Sequence, residues 1–395
     1  MKYAEHSAAH VRADVLVVGA GPAGSNAARL LAKDHDVVIA EEHLTPGEPL
    51  QCAGLVTTRG VPSFARDSVI NDVRGVRVHS PLGNVLELKA KRARAHVLDR
   101  PRFDRMMFHS AVDAGAEPLL GASVRGVHQT EAEVLSELRS EGRLSAVSSS
   151  LVVGADGYRS ICRRAARLPG PRHMVIGIQA DLKGVDSDQE SVDVYLGRDV
   201  APGFFAWAVP AGDITRVGLC TWDSEDAPAV YLKKMLARPE FRKARSVSGA
   251  SGKIPIGPGK TAVRDRIMLV GDAACHAKPL SGGGVYTGVK GAELCAQVAS
   301  SVLREQLGAG TEDYDALWTE AFGRELSMAF RIRKVFINLT DKKLDKAVKL
   351  FDTPDMRELL ESKGDIDYPA SLASSVLRLA PKLAQFSPQI IKSFL

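Results

Sequence analysis

Asp14 to Val18 is an apolar run that leads into Gly19-Ala20-Gly21-Pro22-Ala23-Gly24. Glycines at those intervals let the main chain approach an anionic group. Gly19 makes the turn, Gly21 admits a pyrophosphate to the backbone, and Gly24 lets the following helix pack closely on the strand. Pro22 and Ala23 open that helix, whose free N–H groups attract phosphate. A second apolar run, Val37-Val38-Ile39, leads to Glu41. It lies about 20 residues beyond the glycines, the spacing at which an acid accepts hydrogen bonds from a ribose diol. Glu42 is the adjacent alternative. The whole pattern is a dinucleotide-binding fingerprint.

Two later segments repeat the theme of a strand ending in glycine and acid. Val152-Val153-Gly154-Ala155-Asp156-Gly157 alone is a hairpin signal. Ile267 to Val270 runs into Gly271-Asp272, then Pro279, then Gly282-Gly283-Gly284 and a helix from Val285. Read in isolation, that loop is a helix-capping turn. Its glycines and helix N-terminus also suit a ligand that touches the main chain.

Together the three segments resemble FAD-containing reductases and monooxygenases of the para-hydroxybenzoate hydroxylase type. The resemblance implies that the first segment holds the ADP part of FAD. It places Asp156 and Gly157 near flavin and pyridine nucleotide, and makes Asp272 the ribityl ligand. Lys278-Pro279-Leu280-Ser281-Gly282-Gly283-Gly284-Val285-Tyr286 is similar to the late flavin loop of the geranylgeranyl reductase family, whose members saturate isoprenoid double bonds. Cys52-Ala53-Gly54 matches that family's turn after the second strand. Phe205-Ala206-Trp207-Ala208-Val209-Pro210 resembles its YxWxFP pocket motif, departing at Phe205 and Val209.

The resemblance spans residues 12 to 340. It implies that Cys52, Ala53, Gly54 and Arg100 lie against the flavin, with Cys52 the candidate catalytic residue, and that Phe205, Trp207, Pro210 and Tyr286 line a substrate pocket. It also implies hydride transfer from reduced flavin, with electrons from NAD(P)H or ferredoxin. Cys52 also reads as a small buried hydrophobe, Arg100 as a solvated helix-start charge, and Tyr286 as a packing residue. His276 reads as a satisfied turn residue rather than a proton donor.

The 395 residues exceed one hydrophobic core, and 45% apolar with 25% charged residues is ordinary globular composition. Five cysteines, without CxxC or zinc spacing, point to a reducing compartment and no metal site. No apolar run reaches spanning length and no signal peptide is evident, so a cytoplasmic protein is expected.

The expected architecture is mixed α/β. Residues 12–170 and 253–306 form a discontinuous FAD-binding unit, 171–252 an inserted antiparallel sheet for substrate, and 307–395 a helical region. Strands are expected at Val175–Leu182, Ser191–Leu196, Phe204–Val209 and Thr215–Cys220, followed by a helix over Ala229–Lys243.

Between Arg331 and Phe351, seven cations alternate with apolar residues at helical spacing, opposed only by Asp341 and Asp345. Such a helix lies on an anionic membrane or packs on the core with a solvated basic face. The basic, apolar stretch beyond Tyr368 extends the expectation of peripheral membrane contact, where a prenylated lipid would be met. Aromatics are not interleaved with the cations, which argues against nucleic acid. Two other readings remain open: a flavin monooxygenase or halogenase, and a non-catalytic prenyl binder of the Rab GDP-dissociation-inhibitor kind.

Overall fold

The computed structural model describes residues 10–257, 259, 261–370 and 372. Continuous apolar runs form a buried parallel sheet, as expected where helices cover both faces. His10–Val18 lies centrally, parallel to Arg143–Gly154 on one side and Val37–Glu41 on the other. Glu117–Leu120 extends one edge, and Ile267–Leu269 extends the other beside Arg143–Gly154. The three motif turns therefore leave the same end of neighbouring strands. Helix Pro22–Leu31 packs on the long helix Val285–Leu303, which bundles the first motif with the last.

A seven-stranded sheet lies beside this layer, in the order Arg245–Ile256, His173–Lys183, Ile214–Thr221, Ala206–Ala211, Ser191–Tyr195, Gly75–His79, Val85–Lys89. It draws its last two strands from within residues 12–170. Leu55–Thr57, Ala95–Leu98 and Val69–Val73 form a small third sheet.

The expected strands are present with ends shifted by one or two residues. The helix over Ala229–Lys243 is instead Pro228–Leu236. Pro239 explains the early stop, because the residue before a proline is pushed out of the α region.

After Gly284 the described chain is helical, through Asp313–Trp318, Arg324–Phe336, Asp341–Phe351 and Pro354–Lys363. The apolar stripe from Ile332 to Phe351 is buried or half-buried, while Arg331, Lys334, Lys342, Lys343, Lys346 and Lys349 are exposed. Arg333, counted above among surface cations, is buried. The basic helix is thus two helices packed by their apolar stripes. The stretch beyond Tyr368 falls largely outside the described residues. Among the described residues no helix is long and apolar enough to cross a membrane.

Candidate active site

At the nucleotide end, packing accounts for two of the three fingerprint glycines. A Cβ on Gly19, where φ is +99°, would stand 2.5 Å from the Ala155 carbonyl oxygen; one on Gly24 would stand 1.9 Å from the Gly19 carbonyl oxygen. Gly21 has ordinary φ and nothing within 4 Å of its Cβ position. Its neighbours do not require glycine, whereas a ligand approaching the main chain does. No side chain caps the helix that starts at Pro22. Glu41 faces this turn: its Oε2 accepts from the Ala20 N–H at 2.8 Å and its Oε1 from the His43 N–H at 3.0 Å. Glu42 is exposed, so the geometry singles out Glu41.

At the other end, Gly271–Ala274 forms a single tight turn after Ile267–Leu269. Asp272 Oδ1 lies 3.3 Å from the Cβ position of Gly284, directly before helix Val285–Leu303. Burial raises its carboxyl to about 6, opposed by Arg100 and Arg163. Lys278 and Gly283 close the loop through Pro279, with the Lys278 N–H donating to the Gly283 carbonyl and the Gly282 N–H to the Lys278 carbonyl.

Arg100 is half of a bidentate pair with Asp104, at 3.0 and 2.9 Å. Although burial opposes its charge, Asp104 and Cys52 raise its pKa overall. The solvated-charge reading therefore fails, and the Arg100 charge acts on both Cys52 and Asp272. Cys52 Sγ accepts from the Gly54 N–H at 3.4 Å. The turn is pinned by Arg216, whose Nη1 donates to the Ala53 carbonyl at 2.7 Å and the Leu98 carbonyl at 2.9 Å.

Above this turn lies one face of the seven-stranded sheet. Trp207 crosses Gly218, whose Cβ position is 2.6 Å from the indole, and Gly177 pairs with Gly252 and Cys220. The glycines let Trp207 and the Gln51–Cys52 segment lie close on the sheet, and Trp207 and Phe205 flank that surface with their rings meeting edge-on at 6.3 Å. Trp207 Nε1, Gln179 Nε2, Asp181 Oδ1 and Arg216 Nε are buried there without hydrogen-bond partners. Buried polar atoms are rarely left so. A largely apolar face with a few convergent polar groups is what a small-molecule site presents.

Two expected site residues are placed differently, and a third has an additional role. Pro210 lies on the opposite face from Trp207, because successive strand residues alternate. Tyr286 packs edge-on against Phe322 and shares a hydrogen bond with the Tyr368 hydroxyl at 2.8 Å, turned by its helix into the C-terminal layer. Asp156 Oδ2 accepts from the Ile161 and Cys162 N–H groups and caps helix Ile161–Ala165, a role its motif did not include. Gly157 beside it has nothing within 4 Å of its Cβ position. His276 is a satisfied turn residue, as expected. Its Nδ1 accepts from the Gly271 N–H at 3.2 Å, its ring stacks on Trp318 at 3.7 Å, and burial lowers its pKa to about 3.

Residues 12–234 match the family described as FAD binding domain. Digeranylgeranylglycerophospholipid reductase 1 of Methanothermobacter thermautotrophicus is 30% identical over 93% of this chain and 96% of its own length. The chain belongs to the geranylgeranyl reductase family. A geranylgeranyl bacteriochlorophyll reductase-like protein of Thermoplasma acidophilum shares the fold, with a TM-score of 0.82 at 23% identity over 94% of this chain and all of that one. The flavin-dependent brominase Bmp2 also shares it, with a TM-score of 0.73 at 19% identity over 94% and 100% of the two chains.

The residues present fit FAD: open backbone at Gly21 and Gly157, Glu41 beside the first turn, and Asp272 before an uncapped helix. For a geranylgeranyl reductase family member, the pocket side holds what motif reading missed. Arg216, Gln179 and Asp181 carry no motif, and their only signal is polarity at alternate positions of apolar strands.

Proposed function

We propose that this protein is an FAD-dependent reductase that saturates carbon–carbon double bonds in the geranylgeranyl chains of a membrane lipid. One arrangement carries the reading: the Cys52–Gly54 turn and the glycine-lined face of Trp207 meet beside the loop of Asp272 and Gly282–Gly284. Bound FAD, once reduced, supplies hydride chemistry at its ring.

The protein's part is positioning and exclusion of water, because an isolated alkene is a poor hydride acceptor. Glu41 and the N-terminus of helix Pro22–Leu31 hold the nucleotide end. Asp272 would accept a hydroxyl of the ribityl chain, and Arg216 holds the facing Cys52 turn in place through the Ala53 carbonyl. The apolar chain lies against Trp207 and Phe205, which exclude water from it. In this reading the Cys52 thiol donates the proton that completes saturation and is reprotonated from solvent. NAD(P)H or ferredoxin is the external reductant. The exposed cations from Arg331 to Lys349 supply peripheral contact with an anionic membrane surface at the inner face of the cell membrane, where the lipid is met.

The test is anaerobic. Bound flavin is bleached with dithionite, NADPH or reduced ferredoxin, then mixed with a geranylgeranyl lipid. Reoxidation with one hydrogen pair gained per double bond, read by mass spectrometry, is expected. Oxygen-dependent hydroxylation instead would replace the reading with a monooxygenase, and a colourless purified protein with a binder.

A further inference from the structure

Arg333, on helix Arg324–Phe336, is 2% exposed. It has no ion pair among the described residues, and its Nη2 is buried without a hydrogen-bond partner. Burying an unpaired guanidinium is strongly unfavourable, and an aromatic face offsets only part of that. The two rings it covers are Phe204, at 4.9 Å, and Trp222, at 5.9 Å. They leave much of its charge unanswered.

Its surroundings are positive. His173 meets Trp222 edge-on at 4.7 Å and lies 5.3 Å from Phe330. Arg172 and Lys334 flank Phe330 at 5.8 and 5.0 Å, and neither has an ion pair among the described residues. Together with burial, these three cations lower the pKa of His173. The nearby acids Asp199, Asp223, Glu225 and Asp226 line a cavity of about 600 Å³ whose wall includes Phe204 and Trp222 but not Arg333.

The cluster is joined to the site already described. Phe204 stacks on Phe205 at 4.5 Å, Phe205 meets Trp207, and Phe204 lies 3.3 Å from the Cβ position of Gly282. Trp207 faces Gly218, four residues before Trp222, or about 14 Å along an extended strand. An apolar row therefore runs from the Cys52 end of the pocket to an unpaired buried cation.

We propose that Arg333 binds the phosphate of an amphiphilic substrate, seating an anionic head beside Trp222 while the apolar chain lies along Phe204, Phe205 and Trp207. The seat of the chain rests on the reductase reading; the seat of the phosphate does not. The phosphate has two possible sources, a glycerophospholipid or a single-chain prenyl phosphate.

The test is calorimetric titration of the FAD-loaded protein with dioctanoyl phosphatidate below its micelle concentration, dioctanoylglycerol as the neutral arm, geranylgeranyl phosphate, and inorganic phosphate. Wild type is expected to prefer phosphatidate over the neutral lipid by about tenfold or more, the scale of one charge-assisted hydrogen bond. Arg333→Met, which keeps an apolar stem, and Arg333→Gln should abolish the preference while retaining flavin and neutral-lipid affinity. Arg333→Lys should keep part of it. Tighter binding of phosphatidate than of geranylgeranyl phosphate assigns the site to a glycerophospholipid, and the reverse order assigns it to a prenyl phosphate. An unchanged preference in the flavin-loaded Arg333 variants overturns the proposal, as does inorganic phosphate binding equally to wild type and variants. Arg333-dependent phosphatidate binding without any alkene reduction would sink the reductase reading and leave this site standing.

Discussion

Arg216 on the seven-stranded sheet donates to the carbonyl of Ala53 at 2.7 Å and so fixes the distance between the substrate face and the Cys52 turn. The same side chain lies 4.0 Å from Asp181, with burial working against its charge. One guanidinium thus braces both walls of the pocket.

Arg216→Met should therefore leave FAD bound, since no nucleotide contact is lost, but loosen the turn. Removing one member of a buried pair strands Asp181 and costs about 3 kcal/mol. Thermal unfolding should fall accordingly. Turnover should drop at least about tenfold, because small misplacements of reacting groups carry that penalty. An unchanged kcat would show that the brace is dispensable.

Gly21 and Gly24 separate binding from folding. Gly24→Ala forces a Cβ to 1.9 Å from the Gly19 carbonyl oxygen and should unfold or strongly destabilise the protein. Gly21→Ala meets nothing within 4 Å and should fold normally. Its defect should be a weaker hold on FAD, read as flavin lost on dialysis. Equal flavin retention by Gly21→Ala and wild type would remove the pyrophosphate from that position.

Cys52→Ala removes a thiol that accepts from the Gly54 N–H at 3.4 Å and lies beside Arg100. The flavin spectrum and melting temperature should change little, while alkene reduction slows by about 10²-fold, within the range for loss of a general acid. Full activity in the variant would assign the proton to another donor, water included.

His276 predicts acid sensitivity. Its folded pKa, about 3, lies below the unfolded value of 6.5. The unfolded chain therefore binds the proton first, and stability is fully present above pH 6.5 and is lost as pH falls toward 3. His276→Gln should flatten the decline between those limits in a urea-unfolding series. A parallel decline in both proteins would mean other groups set it.

The nucleotide half of the site was legible in the amino-acid order because its geometry is local. Gly19, Gly21, Gly271 and Asp272 sit in turns that directly follow strands, Gly24 in the first turn of the helix behind them and Glu41 at the end of the next strand, and each position dictates its own residue type. The pocket half was only partly legible. Trp207 and Phe205 were readable on one strand face, whereas Pro210 falls on the other by simple alternation, and Tyr286 is rotated into the C-terminal layer.

Sequence alone determined the α/β class, the strand–glycine–acid segments that would cradle a dinucleotide, and the family. Tertiary structure alone decided which distant residues share a wall. Arg216 reaches Ala53 across 163 positions of chain, and Arg333 lies over Phe204 and Trp222 although motif reading had placed it on the surface. The reason is physical. A helical stripe or strand alternation states which side of an element is apolar, but only packing states what that side meets, and whether a charge buried there has found a partner.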